Sequence, residues 1–465
     1  MSAPSAYDVY RHRVSGSIVC PSPLVDWQPQ PPIPLRGNRV ELMPVTCEYA
    51  MAATIHRPSM RVLMATNTYL PHVSGVANAV DRMVRSLRQL GHEVIVVAPG
   101  ESPVAPIHAD RQGVIRVPAI PAVAGSDHAL PLPTSERLTD VIGAFDPHII
   151  HAHHQFSLGK AALNAARKLG KPIVVTVHTF HETQTHKFKV PLRLSVSAKI
   201  AAAAASYLGA STLPRFFENS CDAVLAPTES AARLLRERGV VTPIYITPSG
   251  IDVDVYANPH GAPVRKRHVI DPNAFVVGHV GRLSKEKNLS FLAKGMAMFL
   301  AARGDARAIV VGNGPCSGEM AAIFKAHRVA SRVRWLGVQR GQALADAYGA
   351  MDVFAFASVI ETQGLVLAEA MAAGAPVIAL DGPGTRDIIR IGANGQLVTK
   401  LSPEAFAEAL LEWSRLPRQE AQRRRQAARE TGASYALELT TKRLVAVYEQ
   451  VAHLSDKGYS RRNDV

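Results

Sequence analysis

Two glutamates lie eight residues apart in the stretch ETQGLVLAE, at Glu361 and Glu369, on either side of a glycine and a run of apolar residues. Glu361 falls in a predicted loop, and Glu369 falls about two turns into the helix that follows. Both carboxylates can therefore face one ligand while apolar neighbours, Leu365, Val366 and Ala370, face a sheet. Carboxylates accept hydrogen bonds from vicinal hydroxyls, so the spacing predicts a ligand with sugar-like hydroxyl pairs. The alternative is an amphipathic helix with one solvated glutamate.

The residues directly after Glu361 add main-chain donors to this predicted site. Gly364 permits a tight turn. The N–H groups of Thr362, Gln363, Gly364 and Leu365 lie at the start of the predicted helix, where they have no acceptor within the helix. We expect them to point into the same space as the two carboxylates.

Two other loops carry groups suited to a phosphate. Arg282 and Lys287 lie five residues apart in GRLSKEKN, on a predicted turn that leads into a helix. Two cations beside a helix N-terminus can clamp a diphosphate. Gly75, in the loop NTYLPHVSGVANAV, would let backbone N–H groups approach an anion at another helix N-terminus. Solvated surface charges and a structural turn are the alternatives.

Short apolar runs alternate with helical segments from residue 60 onward, which is typical of parallel βαβ units. The fold class is α/β, with two doubly wound, Rossmann-like domains predicted at about 60–245 and 246–430. The Pro- and Gly-rich stretch YITPSGIDVDVYANPHGAP between them is the hinge. A helix over 431–455 follows, then a polar tail over 456–465. Residues 1–59 lack periodicity and are predicted to be disordered, so translation could start later than Met1.

Two such domains facing each other form a cleft at the carboxyl ends of both sheets, where ligands bind in these folds. The strand-to-helix loops should carry the chemistry. The histidine-rich run HIIHAHH suggests zinc, but His151 and His153 share one face of a strand while His154 takes the other. Three ligands would not converge there, so we predict no metal. The DVD at 252–254 is interpreted as a structural turn.

Composition excludes some classes of protein. The chain has 465 residues, a formal charge of +14 and four scattered cysteines, Cys20, Cys47, Cys221 and Cys316. A disulfide framework and a structural zinc site are disfavoured, as in a reducing cytoplasm. The sequence contains no run of 18 or more apolar residues, so no transmembrane helix is predicted.

The positive charge of the chain would attract polyanions. Lys and Arg are spread along the chain, however, apart from RQEAQRRRQAARE, and this disfavours nucleic acid as a partner. A dehydrogenase is disfavoured because G-x-G-x-x-G is absent.

The motifs occur together in a characteristic order. Glu361-x7-Glu369, GRLSKEKN, GNGP, GIDVDVY and LRQLGHEV resemble the retaining glycosyltransferases of GT-B fold, family 4. The resemblance covers nearly all of residues 60–455. The segment IIHAHHQFSLGKAALNAARKLGKPIVVTVHTFHE is similar to the branch that glycosylates membrane lipids such as diacylglycerol.

The resemblance implies a nucleotide diphosphate sugar as donor, held mainly by the second domain. Arg282 and Lys287 would hold the diphosphate. Glu369 would bind the ribose hydroxyls, and Glu361 with the backbone after it would hold the sugar. In the GT-B fold the C-terminal helix would pack back on the first domain.

The resemblance also implies roles outside these motifs. Val338, after RVRWLG, would lie beside the base, and the Gly75 loop would touch the diphosphate from the first domain. His178, at the end of the strand PIVVTVH, matches the family histidine that contacts the donor sugar near the reacting centre. His181 and Glu182 would line the acceptor pocket. The family often has a second glycine in the first loop, and many members have a glutamate where Asp387 stands.

The implied reaction is same-face substitution in which the leaving phosphate helps to deprotonate the acceptor hydroxyl. Fixed cations and helix dipoles would stabilise the leaving group, so neither a metal nor a cofactor is expected. UDP-glucose is the favoured donor, with GDP-mannose as its rival. The acceptor is expected to be a membrane lipid, with a soluble molecule or polysaccharide as the alternative.

A basic amphipathic segment over 186–217 could lie on an anionic membrane surface, although an ordinary helix with a solvated face would look the same. The protein is therefore expected in the cytoplasm, peripheral on the inner face of the plasma membrane.

Overall fold

A computed structural model describes residues 59–72, 74–102, 107–110, 112–120, 130–131, 135–178 and 214–462. The predictions for residues 1–58, for the acceptor residues His181 and Glu182, and for most of the basic segment 186–217 lie outside these ranges.

The first sheet has eight strands in the order β10-β9-β8-β7-β1-β2-β4-β3, and a separate hairpin is formed by β5 and β6. All neighbours in the sheet are parallel except β3, which pairs antiparallel with β4. The strands are β1 (Arg61–Ala65), β2 (Glu93–Pro99), β3 (His108–Ala109), β4 (Val114–Val117), β5 (Ala119–Ile120), β6 (Leu130–Pro131), β7 (Ile149–Ala152), β8 (Ile173–Thr176), β9 (Ala223–Ala226) and β10 (Ile244–Ile246). The helices are α1 (Gly75–Gln89), α2 (Ser135–Phe145), α3 (Leu158–Leu169), α4 (Pro214–Glu218) and α5 (Glu229–Glu237).

The second sheet has six parallel strands in the order β13-β12-β11-β14-β15-β16. Counted within this half of the chain, the order is the Rossmann order 3-2-1-4-5-6. Its strands are β11 (Val276–Val280), β12 (Arg307–Val311), β13 (Val333–Gly337), β14 (Val353–Phe356), β15 (Val377–Leu380) and β16 (Gly395–Val398). The helices are α6 (Val253–Ala257), α7 (Gly261–Arg267), α8 (Leu289–Ala302), α9 (Ser317–Ala326), α10 (Gly341–Gly349), α11 (Leu365–Ala372), α12 (Pro383–Arg386), α13 (Pro403–Ser414) and α14 (Arg418–Ala433). The predicted fold, two Rossmann-like domains, is confirmed.

The central strands are buried along their length because helices cover both faces of each sheet. Every residue of β11 is buried. Its first two residues, Val276 and Val277, belong to two different core clusters. Successive side chains of a strand point to opposite faces, so one strand anchors both layers of helices.

Helix α1 begins after Ser74, whose hydroxyl caps it by accepting a hydrogen bond from the N–H of Ala77 at 3.1 Å. Its buried face includes Val80, Val84 and Leu87. The chain leaves the helix through Gly91, which has a positive φ of 87°.

The last helix, α15 (Leu437–Arg462), returns to the first domain, as the predicted fold requires, and extends past the predicted end at residue 455. Leu444, Val445 and Tyr448 lie in the core of the first sheet. The Tyr448 hydroxyl and His151 Nδ1 form a buried hydrogen bond of 2.6 Å, and His151 Nε2 lies 2.7 Å from the Thr176 hydroxyl. The helix thus packs into the interior of a domain from which it is distant in sequence.

Within the ranges described above, no helix combines the length and the apolar character needed to cross a bilayer.

Tyr448→Phe should lower the free energy of unfolding by about 1–3 kcal/mol, because it keeps the ring but leaves a buried nitrogen of His151 without its partner. Leu439→Ala is the control on the same helix. That side chain is 47% exposed, so a change within about 0.5 kcal/mol is expected. Urea denaturation of both variants measures the difference; equal effects would mean that the hydrogen bond does not stabilise the fold.

Candidate active site

Two predicted site residues meet where the second sheet reverses its strand order. The loop after β11 carries a short 3₁₀ turn, Lys285–Lys287, and the loop after the adjacent strand β14 carries Glu361. The Lys287 ammonium and the Glu361 carboxylate form an ion pair, with side chains 26% and 20% exposed. Ligands bind in such folds in the crevice at this reversal point. The structure therefore brings this lysine and glutamate together at a ligand crevice.

Close backbone packing explains the glycines of this region. A Cβ on Gly312 would lie 1.9 Å from the carbonyl oxygen of Gly281, so the loop after β12 lies directly against the loop after β11. Gly364 has a φ of 71° and is the N-cap of α11. The Glu361 carbonyl accepts a hydrogen bond from the N–H of Gly384 at 2.9 Å. The loops after β11 and β12 are thus held against each other, and so are the loops after β14 and β15.

The loop after Glu361 is also held from the first domain. The Thr362 hydroxyl donates to the carbonyl oxygen of His178 at 2.6 Å, and the Thr228 hydroxyl donates to the Thr362 carbonyl at 2.9 Å. The Gln363 side chain forms a pair of hydrogen bonds with the backbone of Ser249, at 2.8 and 2.9 Å. The side chains of Thr362 and Gln363 therefore bind protein, which leaves main-chain groups for a ligand.

Glu369 lies inside the molecule, with its side chain only 8% exposed. Its Oε1 accepts a hydrogen bond from the Arg82 guanidinium of α1 at 3.0 Å. Its Oε2 accepts from the Tyr348 hydroxyl at 3.3 Å. Burial and the nearby Glu369 raise the pKa of Tyr348 and of Tyr256, so both phenols stay protonated and can donate.

The remaining predicted residues lie at the surface of the cleft loops. Arg282 is exposed, and Val338 is 62% exposed. Gly75 opens α1, and a Cβ there would meet no atom within 4 Å. Its backbone is therefore accessible from outside.

His178 follows β8 and is partly exposed. Burial lowers its pKa to about 4, so its ring is neutral near neutral pH. Its Nε2 lies 3.0 Å from Nδ1 of His153, which follows the neighbouring strand β7. His154 points elsewhere, as predicted for the other face, and its Nδ1 accepts from the N–H of Asn67 at 3.1 Å.

The metal interpretations can be examined within the described ranges. No cluster of three or more His, Cys, Asp or Glu side chains suited to a metal is found there. Asp252 is the N-cap residue of α6 and Asp254 lies in its first turn, so the DVD run starts a helix.

Sequence reasoning missed Arg82 because it lies on a helix surface and 287 residues from its partner Glu369. It noted Asp387 only as a departure from the family, whereas the Asp387 carboxylate accepts hydrogen bonds from the N–H and hydroxyl of Ser230 at 3.1 and 3.0 Å. It also missed Glu218, a buried carboxyl hydrogen-bonded by Gln155, whose pKa burial raises to about 7. No periodicity or motif marks such long-range pairs.

The two Rossmann-like sheets, joined by hydrogen bonds between loops at their carboxyl ends and by a final helix that returns to the first domain, define a GT-B fold. The structure resembles crystallised HepE from Anabaena in complex with UDP and glucose, with a TM-score of 0.63 and 18% identity, over 84% of this chain and 100% of HepE. At that identity the likeness concerns the fold.

Two family profiles match in tandem, Glycosyltransferase Family 4 over residues 73–255 and Glycosyl transferases group 1 over residues 262–431. A GDP-mannose-dependent alpha-mannosyltransferase of Mycolicibacterium smegmatis is 33% identical over 73% of this chain and 84% of its own. An alpha-monoglucosyldiacylglycerol synthase of Streptococcus pneumoniae is 28% identical over 71% of this chain and 73% of its own. The chain belongs to glycosyltransferase family 4, and the resemblance inferred from the sequence is confirmed.

Arg82→Ala should lower the free energy of unfolding by about 3 kcal/mol, because it leaves Glu369 buried without its cation. Arg85→Ala, on the same helix, is the control. Arg85 is 53% exposed and pairs with Asp81 at i,i+4, so a loss of about 0.5 kcal/mol or less is expected. Urea unfolding distinguishes the two variants, and equal losses would contradict a structural role for the Arg82 pair.

Proposed function

We propose that the protein transfers a hexose from a nucleotide diphosphate sugar to a hydroxyl of a membrane lipid, with retention of anomeric configuration and without a metal. The observation that carries the proposal is the pairing of Lys287 with Glu361 at the reversal point of the second sheet. A cation for the diphosphate and a carboxylate for the sugar are thereby adjacent, as the two halves of such a donor are.

Cleavage of the anomeric C–O bond leaves negative charge on the departing phosphate. Lys287 and Arg282 supply positive charge there, and the N-termini of α11 and α1 add main-chain donors. Lys287 pairs with Glu361, and the diphosphate of the donor is a second anion for the same lysine. A charge fixed by the protein costs no reorganisation as the leaving group forms, so no metal is required.

The same loops offer groups for the rest of the donor. Glu369, hydrogen-bonded by the neighbouring phenol Tyr348, binds the ribose hydroxyls, while exposed Val338 packs on the base. Glu361 and the N–H groups after it hold the sugar. His178 is neutral and lies next to the Glu361 loop through its contact with Thr362, so it can bond the sugar near the reacting carbon. The leaving phosphate then accepts the acceptor proton on the same face.

Two donors are candidates. The relative named above with the higher identity is GDP-mannose-dependent, which favours GDP-mannose and a transferred mannose. The alpha-monoglucosyldiacylglycerol synthase favours glucose as the transferred sugar, which agrees with the UDP-glucose expected from the sequence, and supports diacylglycerol-type lipids as acceptors. A lipid acceptor in turn favours a peripheral position on the cytoplasmic face of a membrane.

A transfer assay tests the proposal directly. Purified protein is mixed with a bacterial lipid extract and GDP-mannose, UDP-glucose or UDP-galactose in EDTA, and products are read by mass spectrometry. We expect one donor to add a single hexose to a lipid. Release of nucleoside diphosphate without a modified lipid would refute the lipid acceptor in favour of a soluble one, and activity only without EDTA would refute metal independence.

Glu369→Ala should weaken binding of the nucleoside diphosphate by about 10- to 150-fold, because buried ribose hydroxyls lose a charged acceptor worth about 1.5–3 kcal/mol. Isothermal titration calorimetry measures the dissociation constant. Glu408→Ala, an exposed glutamate on α13 in the same domain, is the control and should bind normally. Wild-type affinity in the Glu369 variant would remove it from the ribose site.

Lys287→Ala should lower kcat by about 100-fold while the dissociation constant of the donor changes much less, because leaving-group charge develops mainly in the transition state. Lys285→Ala is a matched control on the same 3₁₀ turn, where the side chain is exposed. Single-turnover rates beside donor titrations separate the two quantities. A Lys287 variant that turns over normally would exclude this lysine from the mechanism.

A further inference from the structure

A pair of histidines joins the ends of two neighbouring strands. His153 follows β7 and is buried, with only 2% of the residue exposed. Its Nδ1 lies 3.0 Å from Nε2 of His178, which follows β8, and the ring centroids are 5.2 Å apart. His153 has no part in the proposed function, although it contacts the histidine proposed to bind the donor sugar.

The His153 ring also packs against His151. The His151 ring lies 4.0 Å away, centroid to centroid, and both nitrogens of His151 are hydrogen-bonded, to Tyr448 and to Thr176. His151 therefore cannot turn without breaking two buried hydrogen bonds. The fixed His151 ring packs against the His153 ring and keeps it in contact with His178.

The contact between His153 and His178 contains one proton. Burial lowers the pKa of both rings, to about 4 for His178 and well below the usual range for His153, so both are neutral near neutral pH. A neutral ring has one N–H and one bare nitrogen. Either His153 Nδ1–H donates to His178 Nε2, or His178 Nε2–H donates to His153 Nδ1.

The remaining nitrogen of His153 distinguishes these two arrangements. His153 Nε2 is buried and has no hydrogen-bond partner among the residues that the structure describes. If His178 were the donor, His153 would carry its proton on Nε2, as a buried N–H without an acceptor. Orphaned buried N–H groups are rarer in proteins than under-satisfied acceptors. The arrangement with His153 as donor leaves only a bare lone pair there.

We propose that His153 is a positioning residue that donates its Nδ1–H to Nε2 of His178 and so holds the proton of His178 on Nδ1. The inference rests on the proposed function, because it matters to the reaction only if His178 contacts the donor. The backbone of His178 is already fixed by the Thr362 hydroxyl on its carbonyl oxygen. His153 fixes what that contact cannot, the tautomer and the tilt of the ring.

The consequence is a defined donor toward the sugar. With its proton on Nδ1, His178 offers an N–H to an oxygen of the donor sugar. In the other tautomer the same nitrogen would present a lone pair, which can accept a hydrogen bond from a sugar hydroxyl but cannot donate one to a sugar oxygen. Control of a histidine tautomer by the hydrogen bond on its second nitrogen is a general device.

The kinetic test compares His153→Ala, His153→Asn and His178→Ala with the wild type. An asparagine amide can place its Nδ2–H near the position of the histidine Nδ1–H, so His153→Asn restores the donated hydrogen bond. We expect His153→Ala to lower kcat about 10- to 100-fold, with the donor KM changed by less than about threefold. His153→Asn should recover most of the loss. Thermal unfolding and nucleotide binding by the second domain confirm that each variant is folded.

The tautomer itself is read by ¹⁵N NMR of histidine-labelled protein, with the His178 signal assigned by its loss in His178→Ala. The wild type should show His178 protonated on Nδ1, and this signature should be lost in His153→Ala and regained in His153→Asn. An Nδ1–H signature that survives in His153→Ala overturns the inference. So does a folded His153→Ala with wild-type kcat when His178→Ala is inactive, or an asparagine variant as slow as the alanine variant.

A fully active His178→Ala would give a different result. It would refute the proposed sugar contact of His178 and, with it, the role of His153. The remaining parts of the donor site, tested through Glu369 and Lys287, would be unaffected. Failure of the proposed function and failure of the histidine inference are therefore separable.

Discussion

The site depends on the reversal of strand order between β11 and β14. After β11 the chain continues to β12 on one side, and after β14 it continues to β15 on the other side. The loops after these two adjacent strands therefore diverge, and a crevice forms between them. Lys287 and Glu361 lie on the two sides of that crevice and form an ion pair across it. The glycine contacts between the neighbouring loops, such as Gly312 against Gly281, hold the crevice in shape.

The loop after Glu361 connects this crevice to the other domain. Thr362 binds His178 and Thr228, and Glu369 binds Arg82. The loop proposed to hold the sugar is therefore positioned by both domains. A donor bound to the second domain would be sensed directly by residues of the first, which suits an enzyme that must bring donor and acceptor together.

The C-terminal helix reaches the same region from behind. Tyr448 fixes His151, His151 packs against His153, and His153 contacts His178. The returning helix of the fold thus supports the floor of the site as well as the core of the first domain. This gives a physical reason for a long helix that crosses from one domain to the other.

The sequence by itself determined the two Rossmann-like halves, the returning helix and the family. Its apolar runs, helix spacing and loop motifs are local signals, and they remain legible wherever the chain lies. It also marked Glu361, Lys287 and Glu369, because their motifs sit at strand-to-helix junctions. Only the tertiary structure decided that Arg82 pairs with Glu369, that Thr362 and Gln363 turn to protein, and that His153 touches His178. Those contacts join side chains far apart along the chain, and burial and packing choose such partners without leaving a pattern in the local sequence.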